Sequence, residues 1–194
     1  MEKRPDWAPF VEHTNHRPAR AVHLKALEGF DAPGRALDLG FGAGNESVDL
    51  LDRGWDLTAV DSTPKAIDNL RERAEGRPGR LTLIEARLAD VPLPTVDYIY
   101  AGYSLFFTEP ERFDGLWASI RAALAPGGVF AGHLLGDRDT WAELPWISRH
   151  TEERARELLD GLDLVWFEVE DADGQALGGP KHWHVHEFIA RRPR

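Results

Sequence analysis

Two carboxylates and three glycines carry the clearest chemistry in this chain. In Arg35-Ala-Leu-Asp-Leu-Gly-Phe-Gly-Ala-Gly-Asn45 an apolar stretch holds Asp38 and runs into Gly40, Gly42 and Gly44. Trp55-Asp-Leu-Thr-Ala-Val-Asp61 then ends in a second acid. Glycine lets backbone approach a ligand where a Cβ would collide. A strand, a glycine turn and a helix in that order hold a nucleotide-like molecule beyond the sheet edge. The acid closing the next strand, Asp61 with Ser62 beside it, is placed to accept hydrogen bonds from ribose hydroxyls. The plainer alternative is an ordinary tight turn in some other doubly wound domain.

Spacing separates the nucleotides such a unit could hold. A dinucleotide fingerprint reads G-x-G-x-x-G/A. Counting from Gly40 puts Asn45 at its last position, and an acid two residues before the first glycine is foreign to it. The run Leu37-Asp-Leu-Gly-Phe-Gly-Ala-Gly44 instead resembles motif I of the class I methyltransferases, which use S-adenosylmethionine. That resemblance implies that Asp38, Gly40, Gly42 and Gly44 face the methionine part and that Asp61 grips the ribose. It extends over about residues 34–190, and Leu124-Ala-Pro-Gly-Gly-Val-Phe130 looks like the turn before the family's fifth strand. One position departs from the pattern. After the third strand relatives usually carry an Asp for the adenine amine, whereas here Arg87 stands there, with Leu88 next and Asp90 three residues later. Either Asp90 takes the amine in a shifted register, or backbone near Leu88 reads adenine alone.

In open α/β sheets ligands lie beyond the carboxyl ends of the strands, which points to three further groups. After the fourth strand, Gly102 permits close approach, and Tyr103, Phe106 and Phe107 either wall a cavity or fill core. Aromatic faces attract a sulfonium by about 0.5–2 kcal/mol. The polar loop Gly136-Asp-Arg-Asp-Thr-Trp141 reads as a lid bearing Trp141. Before the core, Trp7-Ala-Pro-Phe10 and Arg17 lie close together; Arg17 is either a partner for the methionine carboxylate or a solvated surface residue. Near the end, Lys181-His-Trp-His-Val-His-Glu187 on a strand puts His182, His184 and His186 on one face and Trp183 on the other. His182 and His184 are the candidates for a base or orienting group. Trp7, Tyr103, Phe106, Trp141 and Trp183 are the expected substrate pocket. Although His-x-His can bind zinc, no further ligand is identifiable, and no metal is expected. The segments around Trp141 and Trp183 are loosely similar to the tellurite-resistance-type branch of small methyltransferases, which implies a small acceptor.

The elements that must position these groups alternate. Helices are expected over 19–27, 46–51, 64–74, 110–124 and from Thr151, with Pro64 and Pro110 at helix starts. Strands are expected over 36–39, 57–60, 81–85, 96–101 and 129–134, then 162–170 and 181–190 joined by a polar loop over 171–180. The pattern implies an α/β, Rossmann-like doubly wound sheet of five parallel strands plus a C-terminal antiparallel hairpin strand, with helices on both faces. Residues 1–33 are read as an N-terminal cap segment and helix and 34–194 as the core, together one domain.

Composition narrows the partners. Net charge is −10, from 33 acids against 23 Lys and Arg, with no basic stripe, which disfavours nucleic acid. Cysteine is absent, so no disulfide or thiol nucleophile is available. No apolar signal core opens Met1-Glu-Lys-Arg-Pro-Asp, and no run is long enough to span a membrane. A cytoplasmic methyltransferase using S-adenosylmethionine and a small-molecule substrate is the expectation. A non-catalytic cofactor-binding module and a nucleotide-dependent oxidoreductase are the rivals, and nothing in the sequence fixes an oligomeric state.

Overall fold

The computed structural model describes residues 6–194; the first five residues of the expected 1–33 cap segment lie outside the described residues. Strand β1 (Arg35–Leu39) is buried on both faces at Ala36, Leu37 and Leu39, as a central parallel strand covered by helices requires. Around it stand β2 (Asp56–Asp61), β3 (Arg80–Glu85), β4 (Val96–Ala101) and β5 (Leu124–Gly136), all parallel, in the order β3-β2-β1-β4-β5. A two-residue strand β6 (Arg149–His150) pairs with β5. The last two strands are β7 (Asp163–Ala176) and β8 (Gly179–Arg191), and β8 inserts antiparallel between β5 and β7. The described sheet thus has eight strands.

Helices cover both faces. Helices α2 (Ala21–Leu27), α3 (Asn45–Asp52) and α4 (Pro64–Arg73) pack Val22, Leu50, Ile67 and Leu70 with Leu57 and Tyr98 on one side. On the other, α5 (Pro110–Ala123) and α6 (Glu152–Leu158) enclose Phe113, Trp117 and Ile120 with Leu37, Ile99 and Phe188. Pro64 and Pro110 begin their helices, where the missing N–H has no partner to lose. Thr151 Oγ1 accepts the Arg154 N–H at 3.2 Å, capping α6. A short helix α1 (Ala8–Thr14) precedes the core and is tied to it by Asn45 Nδ2, which donates to Thr14 O at 2.9 Å.

Two expectations need correction. The Pro126-Gly127-Gly128 segment is not a turn outside the fifth strand but part of β5. The chain end pairs with it: Gly127 N–H donates to Arg192 O at 2.9 Å and Arg192 N–H to Gly128 O at 2.8 Å. Likewise residues 171–180 are not a loop. Registered pairs from Asp171↔His184 to Ala176↔Gly179 extend β7 and β8 outward, so that only residues 177–178 turn.

Candidate active site

Strand order reverses between β1 and β4, and the site opens there, beyond the carboxyl ends of β1, β2 and β4. A cleft of about 1030 Å³ runs from the glycine turn to the β7–β8 tip. The glycines along it serve different ends. At Gly40 a Cβ would sit 2.4 Å from that of Ser104, so the β1 and β4 ends could not close up. At Gly42 the nearest heavy atom would be Phe10 Cε1 at 3.8 Å, with φ +55°; this is bare backbone on the cleft wall. Gly44 does not line the cleft; it starts α3 and packs on Leu70.

The carboxylates differ sharply. Asp38 is 1% exposed and accepts the Ser47 hydroxyl at 2.6 Å. Burial pushes its pKa up to about 8 against the pull of Ser47, so at neutral pH it is mainly protonated. Asp61 accepts Gly42 N–H through Oδ2 at 2.9 Å and Thr63 N–H through Oδ1 at 2.8 Å. It therefore fixes the glycine turn, with further lone pairs for a ligand. Asp38, Gly40, Gly42, Asp61 and Ser62 all border the cleft.

Charge in the N-terminal wall is arranged differently from the sequence reading. Arg17 does border the cleft, but Glu46 takes its terminal nitrogens, at 2.8 and 3.0 Å. Burial would raise the Glu46 carboxyl; Arg17 and the Arg20 N–H, donated at 3.0 Å, hold it below the usual range. Among the described residues, the cleft-lining arginine without an ion pair is Arg20. Its guanidinium lies 4.3 Å over the Tyr103 ring, and among the described residues no carboxylate pairs with it. Arg20 Nε and Tyr100 Oη, both of cleft-lining residues, are buried without a partner.

On the adenine side, Asp90 is ion-paired with Arg112 and stands outside the cleft wall. Ala86, Arg87 and Leu88 line the wall instead, and Arg87 pairs with Glu109.

The far part of the cleft is aromatic. The expected Trp7, Tyr103, Phe106, Trp141 and Trp183 all line it, with Gly102 beneath. Phe10, Phe107 and Trp146 complete the ring set, with centroid spacings such as 4.4 Å for Trp7–Phe107 and 5.6 Å for Trp141–Trp183. Tyr103 holds a left-handed φ of 56°, and burial pushes its pKa up to about 12, which keeps the hydroxyl a donor to Glu170 at 3.4 Å. Trp141 is set by Asp139, which accepts the Trp141 and His184 N–H groups and pairs with Lys181 at 2.5 Å.

The β8 histidines do not line this cleft, whereas His13 does. The alternation along β8 holds, but it turns Trp183 inward and His182 and His184 away. His184 packs on Gly136 and accepts the Arg138 N–H at 3.0 Å; His182 lies between Asp171 and Asp173 at 2.9 and 2.8 Å. Sequence reading also passed over Glu46, Arg20, Tyr100 and Trp146. The Glu46 signal was an acid in the first turn of a helix that follows the glycines, facing an Arg-rich segment.

Comparison with known proteins fits this geometry. Residues 36–128 match the family model described as a methyltransferase domain. Trans-aconitate 2-methyltransferase of Acidovorax ebreus (strain TPSY) is 34% identical over 131 residues, covering 65% of this chain and 48% of the relative. The enzyme of that name from Rhodopseudomonas palustris (strain BisB18) is 32% identical over 169 residues, covering 81% and 64%. The chain thus spans between about half and two thirds of these relatives' length. TehB from Haemophilus influenzae superposes with a TM-score of 0.77 at 19% identity, over 90% of this chain and 62% of that one. N-methyltransferase NodS from Bradyrhizobium japonicum WM9, in complex with S-adenosyl-L-homocysteine, gives 0.73 at 18% identity, over 98% and 100%. These likenesses, over most of the chain, are to S-adenosylmethionine-dependent methyltransferases, the family whose first motif the glycine turn resembles.

The methyltransferase cofactor suits the residues present. Bare backbone at Gly42 and the neighbouring Asp61 match a ribose lying across the turn. Arg20 and the Tyr100 hydroxyl offer donors to a carboxylate, and Asp38 offers an acceptor to an ammonium. That combination is what the amino-acid end of S-adenosylmethionine demands.

Proposed function

We propose that this protein transfers a methyl group from S-adenosylmethionine to a small molecule. The observation that carries the reading is one continuous cleft with a glycine-and-carboxylate clasp at one end and an aromatic chamber at the other. When bound, S-adenosylmethionine supplies an already activated sulfonium methyl. The chain's own residues then have to bind, orient and keep water out. Asp61 and Ser62 hold the ribose, backbone at residues 86–88 meets the base, Arg20 replaces Arg17 as the carboxylate partner, and Asp38 faces the ammonium. Orienting the two reactants supplies up to about 7–11 kcal/mol of barrier lowering, so no dedicated base is required for an anionic or freely nucleophilic acceptor.

The curated relatives' name supports a small acceptor, and the excess of acids over basic residues supports the absence of a nucleic-acid partner. Among the described residues no helix is long and apolar enough to cross a membrane, and we place the activity in the cytoplasm. Incubation with S-adenosylmethionine and a small-molecule library, followed by mass spectrometry for metabolites gaining one methyl group, tests the proposal. Tight cofactor binding with no S-adenosylhomocysteine formed against any acceptor would mark a binding module instead.

A further inference from the structure

We infer that the methyl acceptor is an uncharged planar aromatic or heteroaromatic molecule with a ring-borne hydroxyl or N–H, rather than an open-chain carboxylate. The inference rests on the methyltransferase reading and specifies its second substrate. Eight aromatic rings line the cleft from the glycine turn outward, in an unbroken chain of contacts from Phe10, beside Gly42, through Trp7 and Phe107 to Trp141, Trp183, Tyr103 and Phe106, with Trp146 stacked at 25° on Phe107. A wall of this kind binds flat π-systems by stacked and edge-on contacts and by apolar burial.

Charge disfavours the other acceptor classes. A carboxylate guest needs unpaired cations in the chamber. Lys181 is neutralised by Asp139 at 2.5 Å, Arg112 by Asp90 and Arg17 by Glu46. Among the described residues Arg20 alone of the cleft's arginines has no carboxylate partner, and the cofactor's own carboxylate claims it. A cationic guest is disfavoured at three of these rings, where protein cations already sit: Arg20 lies 4.3 Å over Tyr103, and Lys181 lies 3.5 Å over Trp183 and 4.3 Å over Trp141. A neutral plane is what remains.

In the transfer, the acceptor's oxygen or nitrogen lone pair forms the new bond to the methyl carbon. The carbon–sulfur bond breaks with its electron pair left on sulfur, giving the neutral thioether. The proton lost from the acceptor passes to solvent at the mouth, where exposed Glu170 can relay it.

Binding of 1-naphthol, 4-hydroxyquinoline and trans-aconitate to the full chain saturated with S-adenosylhomocysteine, followed by calorimetry, tests this. The two planar probes are expected to bind at least about tenfold more tightly than aconitate, a difference of about 1.4 kcal/mol. Trp141→Leu should weaken planar binding about tenfold while S-adenosylhomocysteine affinity stays within about twofold, and Trp141→Phe should recover most of the loss. Aconitate binding as tightly as the planar probes, or planar binding indifferent to Trp141→Leu, overturns the inference and leaves the methyltransferase reading standing. Failure of the wild-type chain to bind S-adenosylhomocysteine overturns both.

Discussion

Replacing Asp38 by asparagine probes the electrostatics of the clasp. Asp38 is 1% exposed with one hydrogen-bond donor, the Ser47 hydroxyl, and burial carries its pKa from 3.8 to about 8. One pKa unit corresponds to about 1.4 kcal/mol, so keeping this carboxylate ionised in the folded chain costs on the order of 5 kcal/mol. The folded state therefore holds a proton that the unfolded state has already released. The stability this provides is complete below pH 3.8, declines as pH rises, and is gone above about 8. Asparagine keeps the shape and the acceptor oxygen without the proton. Urea denaturation of both chains from about pH 4 to 9 should show Asp38→Asn gaining on wild type by a few kcal/mol across that window. Subtracting the two curves removes the histidines, which titrate in both. Cofactor binding should reverse the preference, because an ammonium beside Asp38 favours the carboxylate. Calorimetry in buffers of different ionisation enthalpy should then detect about one proton released near pH 7 in wild type and none in the variant. A flat difference curve would refute the burial argument, and equal proton release in both chains would refute the ammonium contact.

Three other outcomes are expected. Asp61→Ala should weaken S-adenosylmethionine binding by about 1.5–3 kcal/mol, the scale of hydrogen bonds to a charged group; unchanged calorimetric affinity would remove Asp61 from the ribose. Burial lowers the His150 pKa to about 4 from 6.5, so the folded state resists a proton that the unfolded state accepts. Stability should accordingly be complete above pH 6.5 and fall by about 3 kcal/mol as pH drops toward 4, a loss that His150→Gln should reduce in urea titrations. Lys181→Met leaves Asp139 buried without its cation and should cost about 3–5 kcal/mol; a melting temperature equal to wild type would show the pair to be dispensable.

The cofactor half of the site was legible because its chemistry is local. Asp38, Gly40 and Gly42 sit within five residues, and Asp61 ends the strand that pairs with theirs. The strand–helix alternation was legible for a similar reason, since apolar runs and proline starts are written in short windows. The unread parts depend on partners distant in sequence. Arg17 looked free until Glu46, 29 residues away, closed on it. The histidines shared a face as expected, yet only the order of strands β5, β8 and β7 decides which face meets the cleft. Residues 171–180 read as loop because Asp, Gly and Pro are weak strand formers; pairing with 179–184 across the hairpin overrides that preference.

The same extended hairpin separates two inheritances. In the proposed reading donor recognition rests on the first strands, whereas residues 175–178 at the ribbon's tip border the opposite end of the cleft. Lengthening, shortening or recolouring that tip would alter what is admitted and leave the methyl source untouched. A lineage, or a protein engineer, could thus retune selectivity by editing a single turn, with no strand of the central sheet obliged to shift.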